Sequence, residues 1–339
     1  MYVVLKEKAT SEEILELKRF IQETGHGALE ILDGGIRKIG IMGKKDGLTK
    51  ENLKNFSIVE EVLKIGKPFK FVSREFKKED TIIELKGRKI GSTDMILMAG
   101  PCSIENKDMI MEIAKVVKEN GGEFLRGGAF KPRTSPYDFQ GLGEEGLKYM
   151  REACDKYDLL MVTEVMDTRD IELIGKYTDM FQVGARNMQN FSLLKELGKT
   201  DKPVLLKRGL SATMREFLMA AEYIVAFGNQ DVILCERGIR TFEIATRNTV
   251  DINAIALLKE KSHLPIIVDA SHGTGKKSLV EPVTLGCILA GADGAMVEIH
   301  QNPSCALSDG EQSLNFEEFK KLCKKLKKTL EFKESLKCL

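Results

Sequence analysis

The sequence predicts a (β/α)₈ TIM barrel preceded by a small α+β ferredoxin-like domain. Three observations carry that reading. Eight short apolar runs alternate with helical segments from residue 93 onward, and the unusual polar clusters follow the C-terminal ends of those runs. The first 66 residues follow a different order, β-α-β-β-α-β, which is the ferredoxin-like arrangement. Strands that are apolar throughout are buried on both faces, as in a parallel sheet covered by helices. Barrel enzymes place their chemistry at the C-terminal ends of such strands.

In the small domain, residues 1–66, the apolar run Tyr2–Leu5 precedes a helix that opens with Thr10 and Glu13, a capping-box pair. Ile14, Leu17 and Ile21 keep helical spacing until Gly25-His26-Gly27. The runs Ala28–Leu32 and Ile36–Met42 flank Asp33-Gly34-Gly35, a hairpin signal. A helical piece at Thr49–Asn55 and a strand at Ser57–Leu63 complete the unit. Residues 67–91 read as a linker with a short hairpin, Thr81–Leu85 and Lys89–Ile90, that covers the lower end of the barrel.

Residues 92–339 form the expected barrel. Its strands are Met95–Ala99, Glu123–Leu125, Leu159–Thr163, Met180–Val183, Pro203–Leu206, Val232–Cys235, Pro265–Val268 and Gly294–Ile299. Between them lie helices at Lys107–Glu119, Glu144–Lys156, Thr168–Lys176, Gln189–Leu197, Thr213–Phe227, Asn248–Lys259 and Ser278–Ala290, with a last one at Phe316–Phe332. A doubly wound open sheet is the competing fold, but it rarely has this many units and no GxGxxG follows the first strand.

Composition limits the function classes. The 52 basic and 51 acidic side chains leave a formal charge of +1, so no global field favours nucleic acid or an anionic membrane. No run approaches the ~18 apolar residues of a membrane span, and MYVVLKEK does not read as a signal peptide. The seven single cysteines fit reduced thiols and a cytoplasmic enzyme.

Two residue sets follow the strand ends. The first is cationic: Arg126, Lys131, Arg133, Arg186, Lys207, Arg208 and Arg237. So many cations converging on one low-dielectric mouth require anions to occupy it, and arginine forks suit phosphate and carboxylate. The second is ligand-like: Cys102, His272, Glu298 and Asp309, from strands one, seven and eight. A thiolate, an imidazole and two carboxylates suit Mn²⁺, Fe²⁺, Co²⁺ or Zn²⁺ better than Ca²⁺ or Mg²⁺. His263, below the barrel, and His26, in the small domain, read as structural.

At this point the sequence resembles the 3-deoxy-D-arabino-heptulosonate 7-phosphate (DAHP) synthases of type I with an N-terminal ferredoxin-like extension. The stretches are AGPCS (99–103), LRGG (125–128), KPRTS (131–135), GARN (184–187), LKRG (206–209), CERGIR (235–240), VDASHG (268–273), VEIH (297–300) and LSDG (307–310). The resemblance implies condensation of phosphoenolpyruvate with erythrose 4-phosphate, the first step of the shikimate pathway toward chorismate and the aromatic amino acids. Arg126, Lys131, Arg186, Lys207 and Arg237 would hold phosphoenolpyruvate, and Lys131, Arg133, Thr134 and Ser135 the sugar phosphate. Arg208 and Glu236 complete the expected substrate set. Lys131, Glu164 and His272 form the expected catalytic set, with Lys131 a proton donor to the new hydroxyl and Glu164 or a metal-bound water the base. Cys102, His272, Glu298 and Asp309 would hold the metal, with Mn²⁺ foremost.

The same resemblance implies a homotetramer, with tyrosine or phenylalanine as a possible effector at the small domain. The strand Ala28–Leu32 that would meet such an effector is mainly apolar here. Two other readings stay open. One is a related synthase that uses arabinose 5-phosphate; KPRTS argues against it. The other is a non-catalytic amino-acid sensor; the intact cation and ligand sets argue against it.

Overall fold

The structure is a computed structural model that describes residues 1–43, 47–92, 94–131, 135 and 137–336. Strand β1 (Tyr2–Leu5), helix α1 (Ser11–Glu23), β2 (Gly27–Asp33), β3 (Ile36–Met42), α2 (Lys50–Lys54) and β4 (Val59–Leu63) build the small domain. Its antiparallel sheet has the order β2-β3-β1-β4. The Thr10 hydroxyl and the Glu13 carboxylate close the predicted capping box on α1, which turns Ile14, Leu17 and Ile21 inward. Burial of each such side chain is worth roughly 1.5–3 kcal/mol.

The opposite sheet face rests on linker aromatics. Tyr2 meets the Phe76 ring edge-on at 5.5 Å, and Phe71 meets Phe76 at 5.2 Å. Gly40 permits this approach, because a Cβ there would lie 2.2 Å from Phe71 Cε1. Glu222 holds the linker from the barrel side, accepting the Phe71 and Val72 N–H groups at 3.1 Å each. His263 accepts from or donates to Thr81 Oγ1 through Nδ1 (2.7 Å) and contacts the Phe71 carbonyl through Nε2 (2.7 Å).

The hairpin β5 (Ile83–Leu85) and β6 (Arg88–Ile90) closes the barrel's lower end. Ile83 and Ile90 join the inner barrel layer of Met98, Phe124, Val162 and Met296. Lys86 reaches Asp179 at 2.6 Å and Arg88 reaches Asp158 at 2.7 Å, fixing the hairpin to the rim.

The barrel strands are β7 (Ile96–Gly100), β8 (Phe124–Arg126), β9 (Leu160–Glu164), β10 (Met180–Val183), β11 (Val204–Lys207), β12 (Val232–Glu236), β13 (Ile266–Asp269) and β14 (Gly294–Glu298). All neighbours are parallel, and β14 pairs with β7 in the register Glu298 to Gly100, so the sheet closes. Closure rules out the open doubly wound sheet. Around it run α3 (Lys107–Glu119), α4 (Glu144–Tyr157), α5 (Ile171–Gly175), α6 (Phe191–Leu197), α7 (Met214–Ala226), α8 (Ile252–Lys261), α9 (Ala270–Thr274), α10 (Lys277–Leu289) and α11 (Phe316–Leu336). In α3, Asn106 caps the Met109 N–H, and Met109, Ile110, Ile113, Ala114 and Val117 form the buried stripe.

Three elements differ from expectation. The helix predicted over Thr168–Lys176 is a 3₁₀ turn, Thr168–Asp170, followed by the short α5, because the Asp167 carboxylate accepts the Arg169 N–H and tightens the start. The helix predicted from Asn248 begins at Ile252, since Thr249 is bridged to Ile239 and Asp251 caps the helix. Helix α9 was not predicted; the Asp269 side chain accepts the His272 N–H and starts it directly after β13. Among the described residues, no helix is long and apolar enough to cross a membrane.

Candidate active site

The C-terminal strand ends open into a cleft of about 370 Å³. Arg126, Lys131, Glu164, Arg186, Lys207 and Arg237 line it, with His272 and Asp309 at one side. Arg240 and Arg247 also line it, and sequence reasoning gave neither a role. Both lie on the loop after β12, past the strand end that carries Arg237. A larger cavity, about 930 Å³, lies away from the barrel mouth between the small domain, the linker and α7; His26, Thr49, Glu51, Lys64 and Arg215 border it.

Three of the four ligand-like residues converge at the wall of the cleft, and the fourth, His272, stands beside them. Donor atoms of Cys102, Glu298 and Asp309 all lie within 4.8 Å of one another. His272 adjoins them, its Nε2 3.4 Å from Glu298 Oε1. Its Nδ1 stands 2.7 Å from Asp269 Oδ2. A carboxylate behind a ligating imidazole is the usual orienting partner in metal sites. Gln312, another residue sequence reasoning passed over, donates from Nε2 to Glu298 Oε2 at 2.5 Å.

The donor chemistry fits a divalent metal. Burial pushes the Cys102 thiol up to about 11, and Glu298 adds to the effect. The thiol proton is therefore retained and donated to Asp309 Oδ2 at 3.1 Å. Burial opposes ionisation of Glu298, yet His272 and Arg126 hold its carboxyl below the ordinary value. Asp309 is held at about 2 in spite of burial, by His272 and by the Cys102 hydrogen bond. Burial lowers the His272 pKa despite the attraction of Asp269 and Glu298, which favours the neutral imidazole that metals take. A divalent cation would neutralise this packed acidic set and take the place of the thiol proton.

The cations divide into paired and unpaired groups. Arg126 Nη1 lies 2.6 Å from Glu298 Oε1, Lys207 Nζ 2.5 Å from Asp269 Oδ2, and Arg247 Nη1 3.1 Å from Asp309 Oδ1. Among the described residues, Arg186, Arg237 and Arg240 have no carboxylate within salt-bridge distance. Among the described residues, Lys131 Nζ bonds to the Cys102 carbonyl (2.8 Å) and sulfur (3.0 Å) and to no carboxylate. Burial itself works against the Arg237 charge. An anionic ligand would satisfy these four groups.

Two expected substrate contacts are placed elsewhere. Arg208 Nη1 is bound to Glu236 Oε2 and Asp251 Oδ2, each at 2.9 Å, and neither Arg208 nor Glu236 lines the cleft. Successive residues on a strand point to opposite faces. Lys207 and Arg237 turn into the mouth, so their neighbours Arg208 and Glu236 turn behind it. Ser135 is described but does not line the cleft. Arg133 and Thr134 lie outside the described residues.

Glu164 ends β9 at the cleft, where Gln182 Nε2 donates to its Oε2 at 3.1 Å. Its other oxygen lies over Gly184, where a Cβ would come within 2.1 Å. His263 is structural, as expected, and burial lowers its pKa to about 4.

Residues 78–332 match the DAHP synthetase I family and residues 1–67 the DAHP synthase ferredoxin-like domain. A curated relative from Thermotoga maritima, phospho-2-dehydro-3-deoxyheptonate aldolase, is 50% identical over 329 residues, 97% of each chain. The crystal structure of a DAHP synthase from the same organism superposes with a TM-score of 0.77 at 48% identity, covering 96% of both chains. A 2-dehydro-3-deoxyphosphooctonate aldolase from Syntrophobacter fumaroxidans is 30% identical, over 72% of this chain and 90% of its own. The closed barrel, its cation-lined mouth and these matches together show that the chain belongs to the DAHP synthetase I family and carries that family's N-terminal ferredoxin-like domain.

Proposed function

We propose that this chain condenses phosphoenolpyruvate with erythrose 4-phosphate to DAHP and inorganic phosphate, with a divalent metal, Mn²⁺ foremost, held by Cys102, His272, Glu298 and Asp309. One observation carries the reading: the ligand group and the anion cleft share a wall, through the 3.0 Å contact of Lys131 Nζ with Cys102 Sγ. The aldehyde must sit beside the metal while both phosphates sit on cations, and this wall allows it.

Bound there, the metal supplies Lewis-acid polarisation of the aldehyde. The residues of the chain do the rest. Arg186, Arg237 and Lys131 bind the phosphate and carboxylate of phosphoenolpyruvate, with the paired Arg126 and Lys207 behind them. Carbon 3 of the enolpyruvate forms the new bond to the aldehyde carbon, and Lys131 delivers the proton to the new hydroxyl oxygen. Water adds at carbon 2 and loses a proton to Glu164, whose carboxylate is oriented by Gln182. The hemiketal phosphate then breaks its C–O bond and releases inorganic phosphate.

The accompanying organisation belongs to the same reading: residues 1–66 as an accessory domain, 67–91 as linker and hairpin, and 92–339 as the catalytic barrel of a cytoplasmic homotetramer. The exposed Tyr137, Phe242 and Ile244 support self-association, and light scattering tests it. The 930 Å³ cavity supports an amino-acid effector there, because His26, Glu51 and Arg215 offer both charge signs to a zwitterion. Inhibition by tyrosine or phenylalanine is the measurement. Phosphate release with erythrose 4-phosphate against arabinose 5-phosphate tests the substrate; preference for the pentose would overturn it.

A further inference from the structure

Buried Arg208 and Glu236, with the half-buried Asp251, sit behind the cleft and do not line it, yet they are built around the turn that carries Arg237. Glu236 is fully buried at the end of β12. Its Oε1 accepts the Gly238 N–H at 2.7 Å and the Asp251 N–H at 3.4 Å, and its Oε2 accepts from Arg208. Arg208 also donates from Nε to the Ala212 carbonyl at 3.0 Å and from Nη1 to Asp251. One carboxylate thus ties together the loops after β11 and β12 and the start of α8.

The turn itself is held from every side. Gly238 has φ +87°, and a Cβ there would lie 2.7 Å from Asn248 Cβ and 2.9 Å from Gly273 Cα. Ile239 exchanges two 2.9 Å backbone hydrogen bonds with Thr249, and the Arg240 N–H donates to the Leu210 carbonyl at 2.7 Å. By contrast, among the described residues the Arg237 guanidinium makes two long hydrogen bonds, to the carbonyls of Gly238 and His272 at 3.4 Å each. Its backbone is fixed while its head is left free for a ligand.

Two buried charges are costly to keep, and replacing such a pair by apolar groups is often neutral or stabilising. Stability alone does not account for a carboxylate that spends one oxygen on the backbone next to an unpaired arginine. We propose that Glu236, clamped by Arg208 and Asp251, is a positioning residue that aims Arg237 at phosphoenolpyruvate. This rests on the reading that Arg237 holds that substrate. A misplacement of about 1 Å costs up to about a hundredfold in such sites.

The test measures KM and kcat for each substrate, with thermal unfolding alongside, in the metal-loaded enzyme. Glu236→Gln keeps an acceptor for Gly238 but loses the charge that clamps Arg208. Asp251→Asn keeps the helix cap and removes one arm of the clamp, and serves if Glu236→Gln does not fold. Arg237→Met is the reference for losing the contact itself. The proposal expects both positioning variants to raise KM for phosphoenolpyruvate by roughly tenfold, with KM for erythrose 4-phosphate and kcat within about twofold. Arg208→Met combined with Glu236→Gln should recover unfolding temperature without recovering KM. Folded variants with unchanged KM for phosphoenolpyruvate, or with an effect that tracks unfolding temperature alone, would overturn the positioning role. An unchanged KM in Arg237→Met would instead overturn the substrate contact beneath it.

Discussion

Lys131 Nζ lies 3.0 Å from Cys102 Sγ and 2.8 Å from the Cys102 carbonyl oxygen, so one ammonium belongs to both the anion cleft and the ligand group. Its charge opposes the burial that keeps the thiol protonated. Lys131→Met should therefore do two things at once. Turnover falls by roughly 100-fold or more, and metal affinity falls as well, because thiolate formation loses its nearest cation. Chelator competition beside steady-state kinetics checks this; loss of turnover with unchanged metal affinity would separate the two roles.

Cys102→Ser removes the soft donor from a group that otherwise offers only imidazole and carboxylate. Metal affinity should fall by more than the ~10–100-fold that loss of an outer partner costs. Elemental analysis after dialysis reads the result. Gln312→Ala, which removes the hydrogen bonds to Glu298 Oε2 and from Arg247 Nη1 but no donor of the ligand group, should show the smaller effect.

Arg186 has no carboxylate partner among the described residues, whereas Arg126 is paired with Glu298. Arg186→Met should raise KM for phosphoenolpyruvate by roughly 10–100-fold, matching the ~1.5–3 kcal/mol of a charged hydrogen bond. Unfolding temperature should stay near that of the parent, since no buried charge is orphaned. Differential scanning fluorimetry with kinetics distinguishes this from a folding defect.

The barrel was legible because each strand is apolar on both faces and each polar cluster follows a strand end. The pairs Lys207-Arg208 and Glu236-Arg237 show where that rule runs out. It marks the strand end but not the face, and the two-residue alternation that separates inward from outward side chains was available in the sequence and decisive. Arg240, Arg247 and Gln312 were hidden for another reason. They reach the site from loops whose path depends on Gly238 at positive φ and on the Ile239–Thr249 bridge, features of tertiary packing that composition does not carry. Helix α9 was missed because a five-residue helix has little periodicity and depends on one Asp269 cap.

His263 joins the linker to the barrel, with burial lowering its pKa from the ordinary 6.5 to about 4. The unfolded chain binds this proton more readily than the folded one, so stability is full above pH 6.5 and declines as pH falls toward 4. The total is about 3 kcal/mol. His263→Gln, whose amide can still meet Thr81 and the Phe71 carbonyl, should unfold with less difference between pH 7.5 and pH 5 than the parent. Equal pH dependence in both would assign that slope to other groups.

The central claim is that the cation cleft and the four-residue ligand group act together on one pair of substrates. Phosphate release from phosphoenolpyruvate with erythrose 4-phosphate, measured before and after complete metal removal and again on adding Mn²⁺, tests it most directly. The account predicts release that is lost with the metal and restored by Mn²⁺. Full activity after complete metal removal would contradict it.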